Sequence, residues 1–181
     1  MIKKRAHDIM IPINRYPNIF QGATIREAMA EFEHAFLNVD DCMSLPRALL
    51  VIDENQNLIG MIRRRDLLKA LEPRFMQQVP HHHQKEYLDI EGDPNLMALS
   101  SGKLIKTMRS QANQVIDDIM LPADLMFTVD YNDHIAKVVY IMALKDLNLL
   151  PVMQEGKVVG VVRSVDVFHE VAHLVLEDED E

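Results

Sequence analysis

The residues best suited to chemistry are two carboxylates at matched places. Gly60-Met61-Ile62-Arg63-Arg64-Arg65-Asp66 and Gly160-Val161-Val162-Arg163-Ser164-Val165-Asp166 each run from a glycine through apolar residues to an aspartate that opens a helical pattern. An aspartate so placed can cap free backbone N–H groups, and the same helix end attracts phosphate. Arg63, Arg64, Arg65 and Arg163, with the Ser164 hydroxyl, add groups able to meet an anion. Each also has a plainer role, the aspartates as helix caps and the arginines as a solvated basic face. Catalysis finds less support: no nucleophile–base pair, metal cluster or phosphate-cradling glycine-rich loop occurs, and there are only six glycines. His81-His82-His83 are adjacent, so a regular strand or helix could not turn all three to one ion; an exposed loop is expected. At Cys42 the neighbouring Asp40 and Asp41 disfavour the thiolate. His169 and His173 share a helical face without a third ligand, and His7, His34 and His134 are scattered. Of the twelve methionines, Met10, Met29, Met120 and Met142 fall on core positions.

Composition narrows the class. The 181 residues can bury a substantial core as one domain or two small ones. No apolar run approaches the roughly 20 residues of a membrane-spanning helix, and the basic start, Lys3-Lys4-Arg5, leads into Ala6-His7-Asp8 rather than an export signal. A lone cysteine permits no intrachain disulfide, so a reducing cytoplasm is expected. The formal charge of -9 argues against a nucleic-acid surface, which needs clustered Lys and Arg. Glu177 to Glu181 reads as a solvated acidic tail.

The elements that position the aspartates emerge from an internal repeat. Asp8-Ile9-Met10-Ile11-Pro12 recurs as Asp118-Ile119-Met120-Leu121-Pro122 at an offset of 110, and Ile25, Ala28, Met29 and Phe32 fall on Ile135, Val138, Val139 and Met142. Further on, Leu49-Leu50-Val51-Ile52 meets Leu149-Leu150-Pro151-Val152, and the two Gly-to-Asp stretches meet, at an offset of 100. The first copy therefore holds ten extra residues, read as an elongated loop through Asp40 to Pro46. Each copy predicts a lead-in segment, a short strand, an amphipathic helix, a hairpin and a closing helix. Thr24 caps the helix from Ile25 to Phe36; Asp133 and His134 precede the one from Ile135. The closing helices are Asp66 to Leu71 and Asp166 to about Leu176. Residues 1–72 form the first repeat, 117–176 the second and 177–181 the tail. The connection, 73–116, is irregular except for possible helix within Leu96 to Met108, broken at Ser100-Ser101-Gly102. Neither unit would bury much surface alone, so the two should pack together.

A duplicated β-α-β-β-α unit with Asp-Ile-Met at its start and the Gly-to-Asp stretch before its last helix resembles the cystathionine-β-synthase (CBS) domain, and the tandem pair resembles the Bateman module. The resemblance implies an α/β (α+β) fold with two repeats packed about a pseudo-two-fold axis. It implies a regulatory module that binds an adenine nucleotide (AMP, ADP or ATP, or else S-adenosylmethionine), performs no chemistry and acts through an unidentified protein partner or a homodimer. In that family the carboxylate at Asp66 and Asp166 typically accepts from ribose hydroxyls, and a Ser or Thr three residues earlier contacts phosphate. This chain departs, with Arg63 and Arg163 there. Arginine either supplies a charge-assisted phosphate contact or projects elsewhere, leaving a structural dimerisation module without ligand. Thr128, Val129, Leu150 and Pro151 stand where the family lines its adenine pocket. The first copy's equivalents are Asn18, Ile19, Leu50 and Val51, without the common proline at Val51, so the second copy's wall is the better candidate.

Overall fold

Both copies use their strongest apolar stripes as the spacing predicts. The helix Ile25–His34 starts at Thr24, whose hydroxyl accepts from the Glu27 N–H while the Glu27 carboxylate accepts from the Thr24 N–H, a reciprocal capping box. It buries Ile25, Ala28 and Phe32; Met29, expected in the core, is 39% exposed because those three positions already fill the inward stripe. The matching helix Ile135–Lys145 buries Ile135, Val138 and Met142, takes its cap from His134 and ends at Asp146 in the left-handed conformation.

The computed structural model describes residues 4–39, 42–72 and 101–176. In chain order these form α1 (Ala6–Ile9), β1 (Ile11–Pro12), β2 (Asn18–Phe20), α2 (Ile25–His34), β3 (Leu37–Val39), β4 (Cys42–Ser44), β5 (Ala48–Ile52), β6 (Leu58–Arg63) and α3 (Arg64–Leu71). There follow α4 (Ser101–Gln111), β7 (Leu121–Pro122), β8 (Val129–Asp130), α5 (Ile135–Lys145), β9 (Leu149–Gln154), β10 (Lys157–Arg163) and α6 (Ser164–Leu176). The His81-His82-His83 loop, the stretch before Ser101 and the acidic tail lie outside the described residues. Ser101 and Gly102, expected to interrupt a helix, instead lie within α4.

Two four-stranded sheets carry the fold, in the orders β2-β5-β6-β7 and β1-β10-β9-β8. Each ends on a strand from the other copy: Ile11 pairs with Val161, and Leu121 with Met61. The lead-in segments also cross over. The Ile135 N–H at the start of α5 donates to the Lys4 carbonyl, and the Ile25 N–H at the start of α2 donates to that of Gln114, satisfying helix-end donors from the opposite copy. Ala6 and Ile9 join the core beneath α5, while Ala112 and Ile116 join the one beneath α2. A third cluster, including Ile11, Tyr16, Leu50, Met61, Leu149 and Val161, draws on both sheets and joins the copies.

The strand register corrects the repeat alignment. Val51 lies opposite Gly60 and Val152 opposite Gly160, so β5 and β9 correspond with a slip of one residue from the sequence match. Pro151 therefore answers to Leu50 rather than Val51. The first copy carries nine rather than ten extra residues before β5, and its β5–β6 turn is one longer. The short β9–β10 turn is made by Glu155 and Gly156, both at positive φ, as a tight hairpin requires. The inserted residues are not simply a loop: β3 and β4 pair antiparallel, Leu37 with Ser44 and Val39 with Cys42.

Exchange of the lead-in strands demands glycine on the receiving strand. A Cβ at Gly160 would stand 2.6 Å from the Ile11 carbonyl oxygen, and one at Gly60 2.5 Å from that of Leu121. Gly160→Ala is expected to lift β1 from β10 and cost about 1–3 kcal/mol in urea denaturation. Tyr16, 1% exposed, donates its hydroxyl to the Ala48 carbonyl at 3.0 Å, and burial pushes its pKa up to about 12. The folded chain thus retains the phenol proton above the unfolded-state value of 10.0. Tyr16 should make stability fall from pH 10 towards 12 by up to about 2–3 kcal/mol, and this part of the slope should be missing in Tyr16→Phe, as pH-dependent melts would reveal.

Candidate functional site

The two repeated Gly-to-Asp stretches fold alike. Each crosses from the end of a strand into the first turn of the closing helix, and in each the arginine that ends the strand turns back onto the aspartate. Arg63 Nε and Nη2 donate to Asp66 Oδ2 and Oδ1 at 2.7 and 2.9 Å, and the Arg63 N–H also donates to Oδ2. Arg163 Nε and Nη2 donate to Asp166 Oδ2 and Oδ1 at 2.7 and 2.6 Å. These are bidentate, charge-assisted pairs.

Their surroundings differ. The Arg63 side chain is 31% exposed, whereas that of Arg163 is 5% exposed and borders a cavity of about 410 Å³. Small-molecule sites span roughly 300–1,000 Å³. The walls come from both copies. Arg163, Val165, Asp166, His169 and Glu170 belong to the second; Asp8 to Pro12 and Arg15 come from the first copy's lead-in, and Ser44 from its inserted hairpin. The Ser44 hydroxyl accepts from Arg163 Nη1 at 2.6 Å. Arg163 thus uses three of its five N–H donors on described residues, and Asp166 two of about four acceptor sites. Lys4 pairs with Glu170 at the rim.

Of the residues singled out from sequence, this cavity brings together Arg163 and Asp166. Ser164 lies beside it, bonded to the Asn148 side chain at 3.3 Å. Val129 and Leu150 are buried in the second copy's core, Pro151 is buried opposite Val161, and Thr128 is exposed; none of the four borders the cavity. In the first copy, Arg64 reaches the Pro46 carbonyl at 2.5 Å and lies over the Phe32 ring. Asn18 donates to the Tyr16 carbonyl, Ile19 packs against the core and Val51 is buried. Asp8, Arg15 and Ser44 were not foreseen. Asp8 stands in the repeated Asp-Ile-Met motif, a usable signal; Ser44 lies in the insertion, which has no counterpart to align.

A second concavity, of about 490 Å³, opens by Phe20, Gly22 and Asp53, away from both aspartates. Its Asp53 carboxylate is already engaged by Asn57 and Asn55, and hydrogen bonding from Asn57 above all holds its pKa below the usual value. Among the described residues no group of three or more His, Cys, Asp or Glu could hold a metal ion, and no helix is long and apolar enough to cross a membrane.

The model of the CBS domain matches residues 6–73 and 116–173. Comparison with curated proteins gives no match. Solved structures with this fold include CBSX2 from Arabidopsis thaliana, 17% identical, covering 94% of this chain and 96% of that one with a TM-score of 0.61. CBSX2 has also been solved in complex with AMP, with 17% identity, 93% and 96% coverage and a TM-score of 0.59. The cytosolic domain of the Mg2+ channel MgtE in complex with ATP is 22% identical, covering 89% of this chain and 46% of that one with a TM-score of 0.55. At these identities the likeness is one of fold.

The unequal burial of the two arginines has a measurable result. Removing either strands an aspartate of similar exposure, 11% at Asp66 and 15% at Asp166. The difference therefore comes from Arg163 itself, whose side chain is packed at 5% exposure and also bonds Ser44, whereas that of Arg63 is 31% exposed and competes with water. Arg163→Ala should lower unfolding free energy by about 3 kcal/mol and Arg63→Ala by about 1 kcal/mol. Equal losses in urea titrations would contradict this account.

Proposed function

The chain belongs to the CBS domain family, and on that premise we propose that it is a regulatory module that binds an adenine nucleotide in the cleft beside Asp166 and performs no reaction on it. The observation that carries this reading is the Arg163–Asp166 pair at the wall of the 410 Å³ cavity. The carboxylate keeps acceptor capacity suited to a ribose diol, and the guanidinium keeps donors suited to phosphate. That relatives of this fold were solved with AMP and with ATP supports the ligand class. Charge favours a single phosphate: Arg15, Arg163 and the rim Lys4 are matched by Asp8, Asp166 and Glu170, so the cleft has no excess of positive charge to hold three. AMP is the preferred ligand.

The first copy's equivalents, Asp66, Arg63, Arg64, Asn18 and Ile19, form the weaker candidate, since they line neither the Arg163 cavity nor the concavity by Phe20. On this reading Val129, Leu150 and Pro151 act on the second-copy cleft only through the core behind it, Thr128, exposed and away from the cavity, has no part in it, and Ser164 steadies the start of α6. Occupancy would change how the two copies meet, and so how the module meets a second protein. A homodimer is supported by the neighbouring helices α5 and α6, which turn Tyr140, Leu144, Phe168 and Val175 outward. Cys42, as the sole cysteine, suits a reducing cytoplasm.

Thermal shift with AMP, ADP, ATP and GMP tests the reading. AMP at about a hundredfold excess over Kd should raise Tm by about 5 °C. Asp166→Asn should abolish the shift, and Asp66→Asn should preserve it. Folded protein with no adenosine-selective shift at millimolar ligand would leave a structural dimerisation module whose Arg–Asp pairs serve stability alone.

A further inference from the structure

The inserted hairpin is the one part of the cleft wall that the repeat does not duplicate. It follows α2 in the first copy, yet its last strand residue, Ser44, reaches Arg163 of the second. The same insertion holds a second arginine, since the Pro46 carbonyl accepts from Arg64. Among the described residues, Ser44 Oγ has the Arg163 Nη1 bond as its side-chain hydrogen bond, and there the hydroxyl is the acceptor. Its own O–H is left to donate.

Resting on the nucleotide reading of this cleft, we propose that Ser44 is its phosphate-side determinant. The hydroxyl fixes the Arg163 fork by accepting from Nη1 and gives its own proton to a phosphate oxygen that also meets the fork's remaining N–H groups. The arrangement suits an anion because two different donor groups sit 2.6 Å apart, with Arg163 only 4% exposed and its charge balanced by Asp166. The other carboxylates of the cleft are accounted for: Asp8 accepts from the Arg5 N–H, and Glu170 from Lys4. In the first copy's Arg63–Asp66 pair no such hydroxyl is in hydrogen-bond reach among the described residues, so the hairpin makes the two sites chemically unequal.

Calorimetric titration of the full chain with AMP and with adenosine, which lacks the phosphate, separates the roles. Ser44→Ala should weaken AMP at least about tenfold and leave adenosine unchanged, and Ser44→Thr, which keeps the hydroxyl, should restore AMP. If Ser44→Ala weakens both ligands equally, or neither, Ser44 does not read phosphate and this inference falls while the nucleotide site stands. If the unaltered chain binds neither adenosine nor AMP, the nucleotide reading falls, and this inference with it.

Discussion

The close approach of β1 to Gly160 and of β7 to Gly60 sets the terms for the rest of the molecule. A lead-in carbonyl oxygen stands where the receiving residue's Cβ would be, so each copy keeps a glycine where the other's lead-in docks. Once docked, the lead-ins carry further interactions across: the Lys4 and Gln114 carbonyls complete the starts of α5 and α2, and Ala6, Ile9, Ala112 and Ile116 fill each other's cores. The cleft beside Asp166 exists because the Asp8 to Arg15 segment is held against the second copy instead of its own.

Within that frame, duplication and divergence play separate parts. Both copies use a bidentate arginine to anchor the aspartate at the start of the closing helix, and burial then distinguishes them. The Arg63 guanidinium, about a third exposed, competes with water and screening ions, whereas Arg163, under the hairpin, is held in a drier and more directional setting. One sequence motif thus yields two electrostatic environments, and the difference lies in what covers it.

Much of this was legible from the chain. The Asp-Ile-Met and Gly-to-Asp repeats located both lead-ins and both closing helices, because glycine and helix-capping residues mark backbone positions directly. Ile25, Ala28 and Phe32 announced the inward face of α2. The exchange of lead-ins was not legible, since periodicity reports which residues are buried and not against which partner. The one-residue slip between β5 and β9 escaped for a related reason: Leu49-Leu50-Val51 and Leu149-Leu150-Pro151 are apolar throughout, and a strand buried on both faces carries no alternation to fix its register. The β3–β4 hairpin, with three residues in each strand, lacked the long apolar alternation that signals a strand.

The exchanged strands also govern the order of events during synthesis. While the first copy leaves the ribosome, the edge of β6 that will receive Leu121 and Pro122 stays open, and the start of α2 lacks its Gln114 acceptor. The N-terminal segment has in turn no place to dock until Gly160 and Val161 have been made. Its core contacts are therefore among the most distant in sequence, and their closure waits for the second copy's β10. A chain halted between the copies would present an unpaired sheet edge and a stray lead-in, both surfaces on which unfinished chains associate.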